Sequence, residues 1–422
     1  MCSCRLVPSR SILQSFVSSH KSDVFKCFSN TEGRMMTTPY ACAFSNCAKE
    51  GRDALLATAT EEGTIIILNT AKRRDWDYEP QRTVLTPHSN GIFDVKWSAD
   101  DTRIATASGD KSIRITSVER QTVLHTLSGH SSTVKCVAWD PTHRDILCSG
   151  SRDGSIRIWD LRVSGQLMED NSVTLESVIT HLAAHGKEKI TGRRKTQPHP
   201  RTVTSVVYSG NAPHGLVSSG SHDGILHYWD MRLPSDSPKK TKKLPTSPIR
   251  SSSVDPTVLQ GSCRPRGIKS VTAGSGPSAG LLFALGSDSR LHTYDTSSLV
   301  PLAADTHPNL RVDTFYVRTS ISPCGRWLAS GSSGSHGSVF LFDVSNAGRL
   351  SAATGLAGGS RQPVELRGQS GEIGALDWAD DMLATCADDC TVRLWRPDLD
   401  IHHQCLEDPE EKKWEWCWTP PL

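Results

Sequence analysis

Residues 129–162 read GHSSTVKCVAWDPTHRDILCSGSRDGSIRIWDLR. The stretch begins with an alternating apolar segment and continues with a run of small residues, a tight turn containing Asp153, and a segment ending in Trp159. Alternation and turn residues at this spacing predict three short antiparallel strands. The same order recurs in HPRTVTSVVYSGNAPHGLVSSGSHDGILHYWDMR (199–232) and in GQSGEIGALDWADDMLATCADDCTVRLWRP (368–397). We therefore expect a chain built from copies of one small β unit.

Four weaker copies of this unit fill most of the remaining chain and bring the total to seven. They lie at 40–70, 88–118, 267–296 and 314–344. Seven units of about 43 residues need about 300 residues. The chain has 422 residues, and the excess falls mainly in two stretches between repeats, 163–198 and 233–266.

The three strong copies share a set of polar residues at constant spacing. The sets are Ser149, Asp153 and Trp159; Ser219, Asp223 and Trp229; and Thr385, Asp389 and Trp395. In each set the indole N–H can donate to the hydroxyl, and the hydroxyl and the Asp can engage an imidazole. His130 supplies that imidazole in one copy, His88 and His199 are candidates in two others, and Gln369 replaces it in the last. We expect these residues to form a structural scaffold.

The repeats resemble the WD-repeat family over about residues 40 to 397. The resemblance implies an all-β fold, a seven-bladed β-propeller of four-stranded blades around a central channel. A blade cannot bury both of its faces alone, so neighbouring blades must supply the core. We expect an N-terminal arm at 1–35 that supplies the strand closing the ring, the propeller at 36–397 with insertions at 163–198 and 233–266, and a Trp-rich tail at 398–422.

Two adjacent strong copies also share a motif that the polar set does not require. Trp159-Asp160-Leu161-Arg162 and Trp229-Asp230-Met231-Arg232 both place an Arg just past the third strand, at the rim. A guanidinium there can make a planar, bidentate contact with a partner. Neutralisation by the preceding Asp is the alternative. The pair resembles the WDxR box through which WD-repeat substrate receptors dock the DDB adaptor of cullin-4 RING ubiquitin ligases.

Further features are similar to the denticleless family of these receptors. TFYVR (314–318), SISP (320–323) and SGSS (330–333) resemble the family's sixth blade, and TATEEG (58–63) resembles its first. The WDxR boxes on blades three and four, and the basic insertion between those blades, match in placement. The sixth copy departs from the repeat pattern, because it lacks the Asp and Trp of the polar set and carries the insertion GSHG (334–337).

The resemblance implies the substrate-recognition subunit of a cullin-4 RING ubiquitin ligase. One face, bearing Arg162 and Arg232, would anchor the adaptor. The opposite face would read a degron of replication-coupled substrates, such as licensing factors, on the DNA-loaded sliding clamp. Two alternatives stay open: a nuclear WD-repeat scaffold outside any ligase that binds chromatin or RNA-processing partners, and an enzyme with a propeller fold.

The insertions contain basic clusters of disorder-like composition, KEKITGRRKTQPHPR (187–201) and SDSPKKTKKLPTSPIR (235–250). Such loops are expected to be disordered. Lys239, Lys240, Lys242 and Lys243 form a candidate nuclear-import or nucleic-acid signal, with a merely solvated loop as the alternative. Ser237 precedes Pro238 and is a candidate phosphosite, whose phosphate would blunt the basic patch. These features lead us to expect a nuclear protein.

Composition limits the remaining function classes. Lys and Arg number 47 against 45 Asp and Glu, so nucleic-acid contact is expected to be weak and confined to the basic loops. No apolar stretch reaches the roughly 18 residues of a membrane helix, and no membrane partner is expected. The 13 cysteines contain no CxxC pair, which favours reduced thiols. No phosphate-binding loop, nucleophile elbow or zinc-protease motif is present, so we expect no catalytic residues, no cofactor and no enzyme activity.

The chain termini carry weaker signals. A disordered arm is expected for the first thirty residues in preference to a transit peptide. In the C-terminal tail Trp414, Trp416 and Trp418 alternate at strand period, so they either pack on the propeller or dock a partner. No metal site is expected, because His402, His403 and Cys405 lack a fourth ligand at suitable spacing.

Overall fold

The strand pattern of the repeats produces seven small antiparallel sheets in the computed structural model. The model describes residues 9–30, 35–74, 81–187, 199–210, 214–231, 247–259, 264–314, 316–334, 337–348, 362–407 and 409. The inner strands of neighbouring sheets pack side by side from the first sheet to the seventh and back to the first. The fold is therefore a closed seven-bladed β-propeller, as the sequence predicts.

The chain enters the ring from its outer side. It begins with α1 (Ser9–Gln14), β1 (Phe16–Val17), a 3-10 turn (Lys21–Asp23) and β2 (Val24–Lys26). Both strands pair antiparallel with the third strand of the last blade, so that Phe25 lies opposite Val392 and Phe16 opposite Pro397. The N-terminal arm thus supplies the outer strands of the last blade. The expectation that these residues are disordered is wrong for 9–30, because Leu13, Phe16 and Phe25 are buried against the blades.

The first three blades follow in chain order, with strands given from the centre outward. Blade one has β3 (Pro39–Phe44), β4 (Leu55–Thr60), β5 (Ile65–Asn69) and β6 (Thr83–Leu85), with α2 (Asn46–Lys49) after β3. Blade two has β7 (Ile92–Trp97), β8 (Arg103–Ser108), β9 (Ile113–Ser117) and β10 (Val123–Leu127). Blade three has β11 (Val134–Trp139), β12 (Ile146–Ser151), β13 (Ile156–Asp160) and, further along, β16 (Ile179–His181).

The stretch expected to be the first insertion is largely part of the blades. β14 (Gln166–Leu167) and β15 (Val173–Leu175) extend blade two to six strands, and β15 pairs parallel with β10. β16 completes blade three by pairing with β13. Residues 163–187, which the sequence analysis assigned to an insertion between blades, thus contain three blade strands. Residues 188–198 lie outside the described residues.

The remaining blades repeat the four-stranded order. Blade four has β17 (Val203–Tyr208), β18 (Gly215–Gly220), β19 (His227–Asp230) and β20 (Arg250–Ser251), followed by α3 (Pro256–Leu259). Blade five has β21 (Ile268–Ala273), β22 (Leu281–Gly286), β23 (Arg290–Asp295) and β24 (Pro301–Thr306), with a 3-10 turn at Gly276–Ser278. Blade six has β25 (Thr319–Ile321), β26 (Trp327–Ser330), β27 (Val339–Asp343) and β28 (Val364–Leu366). Blade seven has β29 (Ile373–Trp378), β30 (Leu383–Ala387) and β31 (Thr391–Pro397).

The second expected insertion also contains blade structure. β20 is the outer strand of blade four, and Pro256 and Thr257 of α3 are buried. After the last blade, α4 (Leu399–Glu407) packs Cys405 against Val17 of β1. None of the described helices is both long and apolar enough to cross a membrane.

The core lies between the blades and not within any one of them. Seven clusters of buried apolar side chains each join two adjacent blades. Hydrogen bonds add to this packing: the Asp94 carboxylate in blade two accepts from the Val137 N–H in blade three at 3.0 Å, and the Asp377 carboxylate accepts from the Phe44 N–H across the closure at 2.9 Å. Because each blade is stabilised by its neighbours, the ring holds the loops at its two ends in fixed positions.

Candidate functional site

The polar set of blade three forms one continuous chain of hydrogen bonds. Trp159 Nε1 donates to Ser149 Oγ at 2.9 Å, and Ser149 Oγ lies 2.8 Å from His130 Nε2. His130 Nδ1 lies 3.0 Å from Asp153 Oδ2. Burial alone would raise the pKa of Asp153, but hydrogen bonds from His130 and Ser155 outweigh it and hold that pKa below its usual value, while burial lowers the pKa of His130. The arrangement satisfies buried polar groups internally and serves as a scaffold.

Blades two and seven contain variants of the same series of hydrogen bonds. His88 lies 2.8 Å from Asp110 and 2.9 Å from Thr106. In blade seven Trp395 Nε1 donates to Thr385 Oγ1 at 2.9 Å, and Thr385 donates to Gln369 Oε1 at 2.5 Å. Asp389 there accepts from Thr391 and from the backbone of Ser370.

The polar set of blade four differs from the sequence prediction. Trp229 Nε1 donates to Ser218 Oγ at 2.9 Å, and the imidazole 2.9 Å from that oxygen belongs to His185. Ser219 faces the other side of the strand and bonds Thr204. Constant spacing assigned Ser219 and His199 to the set, and both assignments are wrong. The turn after β18 is longer here, so Ser218 faces Trp229, and His199 is exposed.

Asp223 of the same blade is also outside the chain of hydrogen bonds. Its carboxylate lies 3.2 Å from the Arg201 guanidinium and accepts from the Ile225 N–H at 3.3 Å. The expected contact between Asp223 and an imidazole is therefore replaced by an ion pair.

The first WDxR box lies at one end of the ring, which we call the Arg162 face. This face consists of the loops that follow the inner and third strands, among them 140–145 and 161–165 in blade three and the described residues Ser209, Gly210 and His214 in blade four. The backbone bond from the Leu161 N–H to the Asp145 carbonyl (2.9 Å) ties two of these loops together. Trp159 is fully buried and Asp160 is buried, whereas Arg162 is exposed, so Arg162 is the residue of the box best placed to reach a partner.

Arg162 is paired with Asp160 in a bidentate contact. Nε lies 2.8 Å from Oδ1 and Nη2 lies 2.7 Å from Oδ2. The guanidinium holds the pKa of Asp160 below its usual value, and the Arg162 side chain is 58% exposed against 10% for Asp160. A guanidinium has five N–H donors, and the contacts within the described part of the chain use two of them. Asp160 therefore orients Arg162 while three donors remain for a partner.

The second WDxR box is described only in part. Trp229 is buried, Asp230 is half-buried, and the Met231 N–H donates to the His214 carbonyl at 2.8 Å on the Arg162 face. Arg232, the candidate phosphosite Ser237, the basic cluster of Lys239, Lys240, Lys242 and Lys243, and the tail residues Trp414, Trp416 and Trp418 lie outside the described residues. That Arg162 and Arg232 lie side by side on one face thus stays a prediction.

At the opposite end of the ring lies a polar opening that the sequence analysis did not identify. It is lined by the second residue of the inner strand in each blade, or by its equivalent just before β25 in blade six. These channel-mouth residues are Tyr40, Phe93, Lys135, Thr204, Lys269, Arg318 and Gly374. Each follows a buried residue at the start of the strand, and this regular position is the sequence signal that could have identified them.

Arg318 crosses the channel mouth. Its Nη2 donates to the carbonyl of Lys135 at 2.6 Å and to that of Phe93 at 3.4 Å, while Nη1 donates to the Thr204 carbonyl at 3.5 Å. Burial and the charge of Arg318 lower the pKa of Lys135 to about 7. The Lys135 amine lies 4.0 Å from the centre of the Phe93 ring. One side of the mouth is therefore basic.

The other side of the mouth is aromatic and acidic. Tyr40 stacks on Phe93 and on Tyr316 with ring centres 5.6 Å apart in both pairs. The Tyr40 hydroxyl donates to Glu61 at 3.3 Å. Burial and the neighbouring Asp388 raise the pKa of Glu372. Behind the mouth the channel encloses a cavity of about 450 Å³. A charged peptide side chain can enter such an opening beside aromatic surfaces.

Comparisons with known proteins identify WD repeats and similar proteins. The "WD domain, G-beta repeat" family model matches residues 79–117, 121–160, 192–230 and 361–396. Denticleless protein homolog of Gallus gallus is 28% identical over 418 residues, covering 93% of this chain and 52% of the relative. The homolog of Danio rerio is 29% identical and covers 85% and 51%, and that of Homo sapiens is 27% identical and covers 85% and 46%. The chain thus spans about half the length of the curated relatives it matches.

A solved structure supports the ring architecture. A chain in the crystal structure of the mitotic checkpoint complex superposes with a TM-score of 0.56 at 19% identity, covering 87% of this chain and 92% of that chain. This likeness concerns the fold alone. The similarity to Denticleless proteins extends over most of the chain, and the four repeat matches overlap blades of the ring. The chain carries WD repeats that form a seven-bladed β-propeller, and over most of its length it is similar to Denticleless proteins.

Proposed function

We propose that this chain is the substrate-recognition subunit of a cullin-4 RING ubiquitin ligase and that its Arg162 face docks the DDB adaptor. The observation that carries the proposal is the Arg162 guanidinium, which Asp160 orients at an exposed rim. The WDxR motif at Trp159–Arg162 and at Trp229–Arg232 and the similarity to Denticleless proteins support it. Arginine is the side chain best suited to such a planar contact with a carboxylate or carbonyl group.

The channel mouth is the proposed substrate site. Lys135 belongs to its basic side, and Glu61 and Glu372 belong to its acidic side. A degron segment with charges of both signs would find opposite charges on the two rims and an aromatic surface between them. We propose that these segments belong to replication-coupled substrates, such as licensing factors on the DNA-loaded sliding clamp.

Binding at two ends of a rigid ring accounts for the proposed activity. Ubiquitin transfer would be catalysed by the ubiquitin-conjugating enzyme that the ligase recruits. This chain would hold the substrate near that enzyme, which raises the local concentration of the reacting groups. We propose that the chain itself carries no catalytic group.

We also propose that the chain acts in the nucleus. The support is compositional: Lys239, Lys240, Lys242 and Lys243 form a basic cluster, with Ser237 before it. A WD-repeat scaffold outside any ligase would share this location. Salt-sensitive nucleic-acid binding without adaptor binding would favour that alternative.

The test of the proposal is adaptor binding by the full chain. Removing a desolvated Arg anchor costs about 2 kcal/mol, which is about thirtyfold in affinity. We expect Arg162→Ala with Arg232→Ala to abolish co-purification of the adaptor while circular dichroism shows an unchanged fold. The matched control is Arg152→Ala, an exposed Arg in the turn between β12 and β13 of blade three, at the opposite face. Full adaptor binding by the folded double variant would overturn the docking assignment.

A further inference from the structure

Three metal-ligating side chains from two blades meet on the Arg162 face. Asp140 and His143 lie in the loop after β11 of blade three, and His214 lies in the loop after β17 of blade four. One ligand atom of each side chain lies within 4.8 Å of the other two. The ligand atoms of one tetrahedral zinc ion lie about 3.3 Å apart, given metal–ligand bonds of about 2.0 Å. Small side-chain rotations would therefore bring the three groups onto one ion.

Asp140 is held in place by its own loop. Oδ1 accepts from the Thr142 N–H at 2.7 Å, from the Thr142 hydroxyl at 2.6 Å and from the His143 N–H at 3.1 Å. Burial would raise the pKa of Asp140, but these hydrogen bonds outweigh it and keep that pKa below its usual value. The carboxylate is therefore an anion at neutral pH. Its second oxygen, Oδ2, lies 3.5 Å from His143 Nδ1, too far for a strong hydrogen bond.

The two imidazoles lie against each other at the rim. Their ring centres are 5.2 Å apart with 22° between the planes, and the His143 side chain is 42% exposed. Among the described residues no hydrogen-bond partner is found for the His214 ring, whose backbone has a left-handed φ of +66°. The hydrogen bonds that hold the turn at residues 140–143 use only one oxygen of the Asp140 carboxylate, Oδ1. His143 Nδ1 also lies 2.8 Å from the Thr142 hydroxyl, so the turn accounts for that imidazole but not for the His214 ring stacked against it.

We infer that Asp140, His143 and His214 form a binding site for a divalent transition metal ion, with Zn²⁺ as the best match. Imidazole and carboxylate ligands suit zinc, whereas magnesium and calcium prefer oxygen ligands alone. Three protein ligands leave a fourth position open to water or to a side chain of a bound protein. Sequence spacing gives no sign of this site, because its ligands come from different repeats.

The site lies between the two WDxR boxes. The carbonyl of Asp145, two residues after His143, accepts from the Leu161 N–H at 2.9 Å, one residue before Arg162. The carbonyl of His214 accepts from the Met231 N–H, one residue before Arg232. A bound ion would therefore join blades three and four at the edge from which Arg162 extends. The site does not depend on the proposed ligase role, since its ligands belong to this chain alone.

Cobalt(II) substitution tests the site directly. The untagged full chain is titrated with Co²⁺ and followed by its visible absorption. We expect one Co²⁺ per chain with a nitrogen and oxygen spectrum that lacks a thiolate band. His143→Ala and His214→Ala should each weaken binding more than about tenfold. Asp140→Asn keeps the acceptor for the turn but removes the charge, and it should weaken binding as well.

Two further variants make the result decisive. His222→Ala removes an exposed histidine in the turn after β18, outside the trio, and should leave Co²⁺ binding unchanged. His143→Cys should bind Co²⁺ with a new thiolate charge-transfer band, which only a residue bound to the ion can produce. Failure of the folded wild-type chain to bind Co²⁺ would overturn the inference. Binding that survives both alanine substitutions, or a His143→Cys complex without the band, would overturn it too.

Discussion

Ser149 has two buried partners, and this makes it the residue on which the polar chain of blade three depends. Its Oγ accepts from Trp159 Nε1 and lies 2.8 Å from His130 Nε2. Ser149→Ala would leave a buried indole N–H and a buried imidazole nitrogen without a partner, and each costs about 1–3 kcal/mol. We expect the free energy of unfolding, measured by urea denaturation, to fall by about 2–6 kcal/mol.

The control for that variant is Ser131→Ala in the loop before the same blade. Ser131 is exposed, and only its backbone N–H bonds Asp153. Its substitution should change stability by less than about 0.5 kcal/mol. Equal losses in the two variants would show that the polar chain contributes nothing to stability.

His185 makes the stability of blade four depend on pH. Burial lowers its pKa well below the usual value, and burial also lowers the pKa of the neighbouring His227. The unfolded chain takes up a proton near pH 6.5, whereas the folded imidazole resists it. The stability that the neutral ring contributes is therefore complete above about pH 6.5 and is lost as the pH falls toward the folded pKa.

His185→Gln tests this dependence with a residue that cannot titrate. Blade seven already uses Gln369 opposite Thr385, so the amide can fill the same role toward Ser218. We expect the wild-type chain to lose stability between pH 6.5 and 5 and the variant to lose less, as measured by urea denaturation at each pH. A variant with the same pH slope as the wild type would assign the loss to other groups.

At the level of the elements, the inner three strands of each strong repeat follow from the sequence, but the outer strands do not. β12 and β13 carry small residues and alternating apolar residues that predict strands directly. β16 and β20 have three and two residues, too few to show a period. β15 pairs parallel with β10, a long-range contact that no local pattern contains.

The candidate sites likewise divide into contacts that the sequence predicts and contacts that it does not. The ion pair of Arg162 with Asp160 was an alternative in the sequence analysis, because the two residues are neighbours. The constant spacing predicted Ser219 as the partner of Trp229, but the longer turn after β18 shifts the register by one residue, so Ser218 takes that place. The channel mouth and the Asp140 trio assemble from separate repeats, so only the closed ring places Arg318 beside Lys135 and His143 beside His214.

The closing strand β2 supplies a test at the same level. Phe25 is 1% exposed and belongs to the apolar cluster between blades seven and one. Replacing a buried Phe by Ala costs about 3–5 kcal/mol, so Phe25→Ala should lower the urea midpoint strongly. Met35→Ala, at a side chain 70% exposed, should have little effect. Similar midpoints for the two variants would mean that the arm does not close the ring.

At the level of the whole molecule, the two candidate surfaces lie at opposite ends of the same strands. Lys135 is the second residue of β11, while the loop with Asp140 and His143 follows its last residue. The inner strands are fixed by the packing of every blade on its neighbours, so changes at one end need not disturb the other. The proposed receptor role requires this property, because the chain would hold the ligase and the substrate at the same time.

Because the two surfaces are separate, a variant at one end of the ring should change only the binding of the partner proposed for that end. Lys135 has a pKa of about 7, so its amine is charged at pH 6 and largely neutral at pH 8. A substrate carboxylate beside it should bind more tightly at pH 6, and Lys135→Gln should remove this dependence and leave adaptor binding unchanged. Arg162→Ala with Arg232→Ala should abolish adaptor binding and leave substrate binding and its pH dependence unchanged. Co-purification of adaptor and substrate at both pH values measures the two effects together, and loss of both partners in either variant would show that the two faces are not independent.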